Sequence, residues 1–322
     1  MNVNWKFLVK LGITLSLLAY LASEVDWPLI KATLSNIRLL PFFSSYLILL
    51  LCSIPLAFRL RILLKPTVLQ FSLERLIQIQ FISQFYSLLL PSGIGVSIAR
   101  WYKITQNRLG RRVFVVVTLI ERAMLILTLL LCVGIPLLLA KDNVLQTFRS
   151  PVLPSIAILI LLCCFFFSFF LHPWVNKKFA SIMQRAQSRF KSGLAKKMLG
   201  IYEDCGLYLD KRHLLLKSFA YHLLFQALNF LRLYLVFVAL RVDLPFMKIL
   251  WISASVLLIL SLPITIAGIG LRETGFAWFM ALYGIEPEKG AILGGMLSLQ
   301  LFMNRGLGAL LDVLETKSSY KR

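Results

Sequence analysis

The sequence predicts an all-α polytopic membrane protein with about six full spans and two re-entrant helical hairpins, arranged as an inverted repeat. Three observations lead there. Hydrophobic residues make up 59% of the 322 and charged residues only 15%, with a mean hydropathy of +0.80. A soluble domain could not cover that much apolar surface. Lys and Arg outnumber Asp and Glu by 35 to 14, a net charge of +21. These charges gather in short loops between apolar runs, as the positive-inside rule requires of cytoplasmic loops, and this placement excludes nucleic acid as the partner of so basic a chain. The third observation is that two apolar runs are broken at Pro and Gly, with an Arg following at membrane depth. Backbone broken inside a bilayer survives only against protein or a watery cavity.

The spans follow in order. Residues 7–22 form the first, with Lys6 and Lys10 holding its start in the cytoplasm; the same stretch also has the outline of a signal peptide. An amphipathic run with Ile30, Leu34, Ile37 and Leu40 on one side suits a helix on the outer surface. Residues 42–64 return inward and end in Arg59, Arg61 and Lys65. The segment 76–90 is flanked by basic residues on both sides, so it enters from the cytoplasm and returns there. Long spans follow at 113–139 and 152–171. The loop 173–213 is basic, and Phe179, Ile182, Met183, Ala186, Phe190 and Leu194 recur in it at helical spacing. It reads as an amphipathic helix on the anionic inner leaflet. Residues 214–240 cross outward, the broken run 249–283 enters from outside, and 291–314 returns to a basic tail. The whole is one transmembrane domain, 1–322. Its first half covers about 1–172, its second about 214–314, and its tail 315–322. Both termini are placed in the cytoplasm.

The two breaks share a pattern. Leu90-Pro91 precedes Arg100 and Leu262-Pro263 precedes Arg272, each Arg nine positions after its Pro with a Gly-x-Gly between. Interrupted segments at matching places in oppositely oriented halves point to a transporter binding site. The competing reading is a packing kink at each, since Pro and Gly are common in membrane helices.

Charged groups at membrane depth supply the chemistry: Arg100, Glu121, Arg122, Arg232, Arg272, Glu273 and Arg305. Each costs about 3 kcal/mol at the centre of a spanning helix on insertion scales, so each needs compensation. Glu121 and Arg122 are adjacent, as are Arg272 and Glu273, and neighbours in sequence do not face each other on a helix. Pairing across helices is therefore expected, Glu121 with an arginine of the other half. The arginines left over, beside the helix ends at Gly268 and Gly270, suit a phosphate. The bland alternative is structural pairing, or snorkelling at the interface.

Catalytic signatures are missing. No Walker-type loop occurs, the Gly-x-Gly pairs lack a nucleotide-binding context, and His172, His213 and His222 have no metal spacing. The five cysteines make neither a disulfide framework nor a zinc site. No cofactor and no enzymatic activity are expected.

The second break, Pro263 through Gly268, Gly270, Arg272 and Glu273, resembles the signature of the lysylphosphatidylglycerol synthase transmembrane-region family of flippase-like membrane proteins. Leu90-Pro91-Ser92-Gly93-Ile94-Gly95 up to Arg100, the Glu121-Arg122 pair and Asn304-Arg305 resemble its other blocks. The likeness runs over roughly 6–314. One departure is Val96-Ser97, where the family often carries an acidic residue, so no role of that acid carries over. No aminoacyl-transferase domain lies in these residues, so lysine transfer is not implied. The resemblance implies translocation of an anionic lipid, a phospholipid or a polyprenyl-phosphate-linked glycan, in a bacterial or archaeal cell membrane. Arg272, Arg100 and Arg122 would then hold the headgroup in a cavity between the two hairpins, with Glu121 and Glu273 orienting them. Two alternatives stand beside this: a secondary transporter of a soluble organic anion, and a lipid-binding accessory protein that uses the basic loop. Either a homo-oligomer or a lipid-modifying enzyme partner is compatible with the chain.

Overall fold

The computed structural model describes residues 35–67, 69–87, 95–105, 111–139, 143–171, 211–262, 264–265 and 267–319, together with Tyr208 and isolated positions before 35. Side chains at 111–112, 162–171 and 316–319 are outside the described set. Most of the first predicted span, Pro91, Gly93, Pro263 and almost all of the basic loop 173–213 also lie outside it. Helices and turns account for the regular structure of the described residues.

The helices are α1 (Leu39–Leu51), α2 (Ser53–Leu64), α3 (Leu73–Tyr86), α4 (Gly95–Ile104), α5 (Arg111–Leu139), α6 (Asn143–Leu171), α7 (Arg212–Ala239), α8 (Phe246–Leu260), α9 (Leu271–Ala281) and α10 (Pro287–Ser319). Between α1 and α2 only Cys52 interrupts the helix. Pro55 explains the interruption, because its ring crowds the carbonyl four residues back, that of Leu51. Four described stretches are long and apolar enough to cross a membrane: Leu39–Leu64, Val113–Leu139, Asn143–Leu161 and Arg212–Ala239. The protein is therefore an integral membrane protein. Helix α8 has 15 residues, too few to span a hydrocarbon core of about 30 Å alone.

Both sequence breaks fall between short helices. Helix α3 ends at Tyr86 and α4 begins at Gly95; α8 ends at Leu260 and α9 begins at Leu271. The pairs are packed crosswise. Helix α3, of the first pair, lies against α10, which follows the second; α8, of the second pair, lies against α5, which follows the first. Ion pairs reinforce the α3–α4 contact with α10. Lys103 Nζ lies 2.6 Å from Asp312 Oδ1 and Arg75 Nη2 lies 2.6 Å from Glu315 Oε1. That hydrogen bond from Arg75 holds the Glu315 carboxyl below its usual range.

Two apolar cores result. Val236, Phe237, Ile252, Met280 and Leu293 are fully buried in one, shared by α5 and α7–α10. Leu60, Leu63, Leu76, Ile79, Val116 and Val117 are fully buried in the other, among α2, α3 and α5. Helix α5 contributes its first half to the second core and its last part to the first. Glu121 and Arg122 sit near the junction, which is how a charged pair comes to lie in the middle of the molecule. Helices α9 and α10 approach closely at two glycines: a Cβ on Gly290 would stand 2.5 Å from Ala277 Cα, and one on Gly294 would stand 2.6 Å from Glu273 Cα. Without strong hydrophobic driving force between helices in lipid, such small-residue contacts are how backbones meet.

Candidate functional site

Glu121 is 5% exposed on α5. Its Oε1 accepts from Arg59 Nε at 3.2 Å and from Arg59 Nη2 at 2.8 Å, and its Oε2 accepts from Arg100 Nη2. Arg59 belongs to α2 and Arg100 to α4, so three helices meet on one carboxylate. Arg59 Nη1 also lies 2.7 Å from His222 Nδ1 on α7. A guanidinium can only donate, so Nδ1 accepts and the ring proton sits on Nε2, an assignment made from the hydrogen-bond network. Nε2 in turn donates to Thr128 Oγ1 at 2.9 Å, whose own hydrogen goes to the Met124 carbonyl at 2.8 Å. Every polarity in the chain is consistent, and His222 is neutral within it.

This arrangement differs from the pairing expected of Glu121 with an arginine of the other half. Both of its arginines come from the first half, because Glu121 faces α2 and α4. Arg59 was read as a cytoplasmic flanking charge, yet it is 6% exposed. Its side chain turns into the bundle because the Glu121 carboxylate is there to receive it. Nothing in the local sequence of α2 distinguishes Arg59 from Arg61, which lines a separate surface hollow.

The second cluster forms at the other break. Ala267, Gly268 and Gly270 have φ of 56°, 79° and 79°. A β-carbon disfavours that left-handed region, so glycine supplies two of the three positions. Gly268 has a further role, since a Cβ there would stand 3.0 Å from Arg272 Nη2. Helix α9 then starts at Leu271 with its first turn capped: Gly270 N donates to Glu273 Oε2 at 2.7 Å. Ser298 of α10 bridges the adjacent charges, accepting from Arg272 Nη1 at 2.6 Å and donating to Glu273 Oε1 at 2.5 Å. Both carboxylate oxygens of Glu273 are thereby engaged.

Between the two clusters lies a cavity of about 320 Å³, lined by residues of α1, α2, α3, α5, α7, α8, α9 and α10. Arg122, Arg232 and Arg272 line it, with Gln84, Gln226 and Asn229, and leucines form much of the rest. Arg122 reaches it because one residue along α5 rotates it away from the side that Glu121 faces. Arg232 Nη1 donates to Gln300 Oε1 at 3.2 Å, while its Nε has no partner among the described residues. Arg100 does not line the cavity; Glu121 and Gln80 hold it. Asn304, 1% exposed, donates to Gln84 Oε1. The Arg305 guanidinium lies 5.4 Å from the Phe302 ring centre, a favourable cation–π placement. Arg59, His222, Gln226, Ser298 and Gln300 were missed as site residues. A buried His beside polar positions of the same span, Gln226 and Asn229, was the available signal.

Fold and site together define a polytopic helical membrane protein whose charged side chains converge at its centre. The chain belongs to the family described as the lysylphosphatidylglycerol synthase TM region, which it matches over residues 7–303, nearly its whole length. No curated protein and no solved structure matches it.

Proposed function

We propose that this protein is a flippase-like transporter that takes an anionic lipid, a phospholipid or a polyprenyl-phosphate-linked glycan, into its central cavity and passes it between leaflets. One observation carries the reading: three arginines and nine leucines line the same cavity. Guanidinium groups favour phosphate, whereas a leucine wall favours alkyl chain, and an amphiphile satisfies both. Family membership supports a role in lipid handling. A soluble organic anion uses the arginines but leaves the leucine wall without a partner. In this reading Arg272, which lines the cavity, holds the headgroup, and Glu273 and Ser298 orient it.

Reconstitution in liposomes with a labelled anionic lipid tests this. Translocation should fall roughly 10- to 100-fold in Arg272→Ala, the scale of losing a hydrogen bond to a charged group. An unchanged rate beside an active wild type removes Arg272 from the site, and solute uptake without lipid movement replaces the lipid reading by the soluble-anion one.

The two helix pairs are read as re-entrant hairpins of an inverted repeat in the cell membrane, with both termini cytoplasmic. Their crosswise packing on α10 and α5 is what a pseudo-two-fold axis in the membrane plane produces. Cysteines introduced at Ser92 and Thr265 should be labelled from opposite sides. Labelling from one side dismisses the repeat.

A further inference from the structure

The cavity's chemistry is one-sided. No carboxylate lines it among the described residues. The two acids nearest its arginines are already committed, Glu121 to Arg59 and Arg100, and Glu273 to Gly270 N and Ser298. Among the described residues, six arginines, at 59, 100, 122, 232, 272 and 305, thus face two carboxylates in the middle of the bundle. Two donors lining the cavity have no partner among the described residues, Arg232 Nε and Gln226 Nε2, on side chains 5% and 4% exposed. A buried donor without an acceptor is costly, and a cationic surplus in low dielectric is costlier. Both deficits are met by the same kind of group: one that accepts on several oxygens and carries more than one negative charge.

We infer that the cavity selects a phosphate bearing two negative charges, a phosphomonoester or diphosphate headgroup, and rejects headgroups that carry an ammonium. This rests on the anionic-lipid reading above and narrows it. A monoester phosphate offers three terminal oxygens, enough to accept from Arg232, Arg272 and Gln226 together, whereas a diester offers two. An ammonium headgroup brings donors to a cavity already in excess of donors, and it finds no carboxylate to pair with. The leucine wall receives the chains in either case, so discrimination falls on the headgroup.

Purified full-length protein in detergent, titrated with lipids of identical acyl chains and followed by native mass spectrometry, tests the inference. At pH 8 phosphatidic acid should bind about tenfold tighter than phosphatidylglycerol, one charged hydrogen bond's difference. Phosphatidylethanolamine and an aminoacylated phosphatidylglycerol should bind more weakly than either. The preference for phosphatidic acid should shrink at pH 5, below the second ionisation of an ordinary phosphomonoester at about 6, while phosphatidylglycerol binding serves as the control. Arg232→Gln should lose most of the preference and Arg232→Lys should keep part of it. Equal binding of the mono- and dianionic lipids, or tight binding of the ammonium-bearing ones, overturns the inference while leaving the anionic-lipid reading in place. Binding of inorganic pyrophosphate with no lipid bound at all does the reverse: the dianion survives and the lipid does not.

Discussion

Replacing Glu121 by Gln should destabilise the protein by about 3–5 kcal/mol, the usual cost of removing one partner from a buried ion pair. The carboxylate is 5% exposed and receives two guanidinium groups. Without it, among the described residues, Arg59 keeps only a neutral imidazole and Arg100 keeps only Gln80 as hydrogen-bond partners. Two cations would then face each other in low dielectric, where repulsion is poorly screened. Helices α2, α4 and α5 lose the group that gathers them, so unfolding and translocation should suffer together. Equilibrium unfolding in detergent gives the number. A double-mutant cycle with Arg59→Gln isolates the pair, and the combined loss should fall short of the separate losses by roughly 0.5–3 kcal/mol. A Glu121→Gln loss below about 1 kcal/mol would show that the triad contributes no net compensation.

Adjacent glycines of α10 provide the second large effect. Gly294→Ala should cost about 1–3 kcal/mol by overpacking, since the new Cβ would stand 2.6 Å from Glu273 Cα and 2.9 Å from Glu273 N. Backbone atoms cannot rotate away as a side chain can, so α9 and α10 must part. Ser298 lies one turn beyond Gly294 on the same face and holds both Arg272 and Glu273, so the separation should also weaken transport. Gly295→Ala is the internal control. Nothing lies within 4 Å of its added Cβ, and Ala is favoured over Gly in a helix by up to about 1 kcal/mol. Thermal unfolding of the two variants should therefore move in opposite directions. If both respond alike, the close approach of α9 and α10 is not what holds the second cluster.

The sequence made the architecture legible where the signal is local or compositional. Apolar run length marked the four described stretches that are long enough to cross a membrane. Proline and glycine marked the second break, where Ala267, Gly268 and Gly270 do take left-handed backbone. Arg100, Glu121, Arg122, Arg232, Arg272, Glu273 and Arg305 were picked out by one physical fact, that a charge at membrane depth is expensive. Their division of labour was not legible. Arg100 and Arg122 looked equivalent as headgroup ligands, yet one is bound to Glu121 and the other lines the cavity.

What the sequence by itself determined is therefore an integral membrane bundle, broken in two places and overloaded with arginine. Those properties follow from composition, periodicity and backbone chemistry, each carried by residues close in sequence. Only the tertiary structure decided that Arg59 and His222 join Glu121, that Ser298 bridges Arg272 to Glu273, and that three arginines are left facing one cavity. The partners in those contacts are up to 163 residues apart. A buried charge announces that it needs a partner, but packing alone decides which one lies within hydrogen-bond reach.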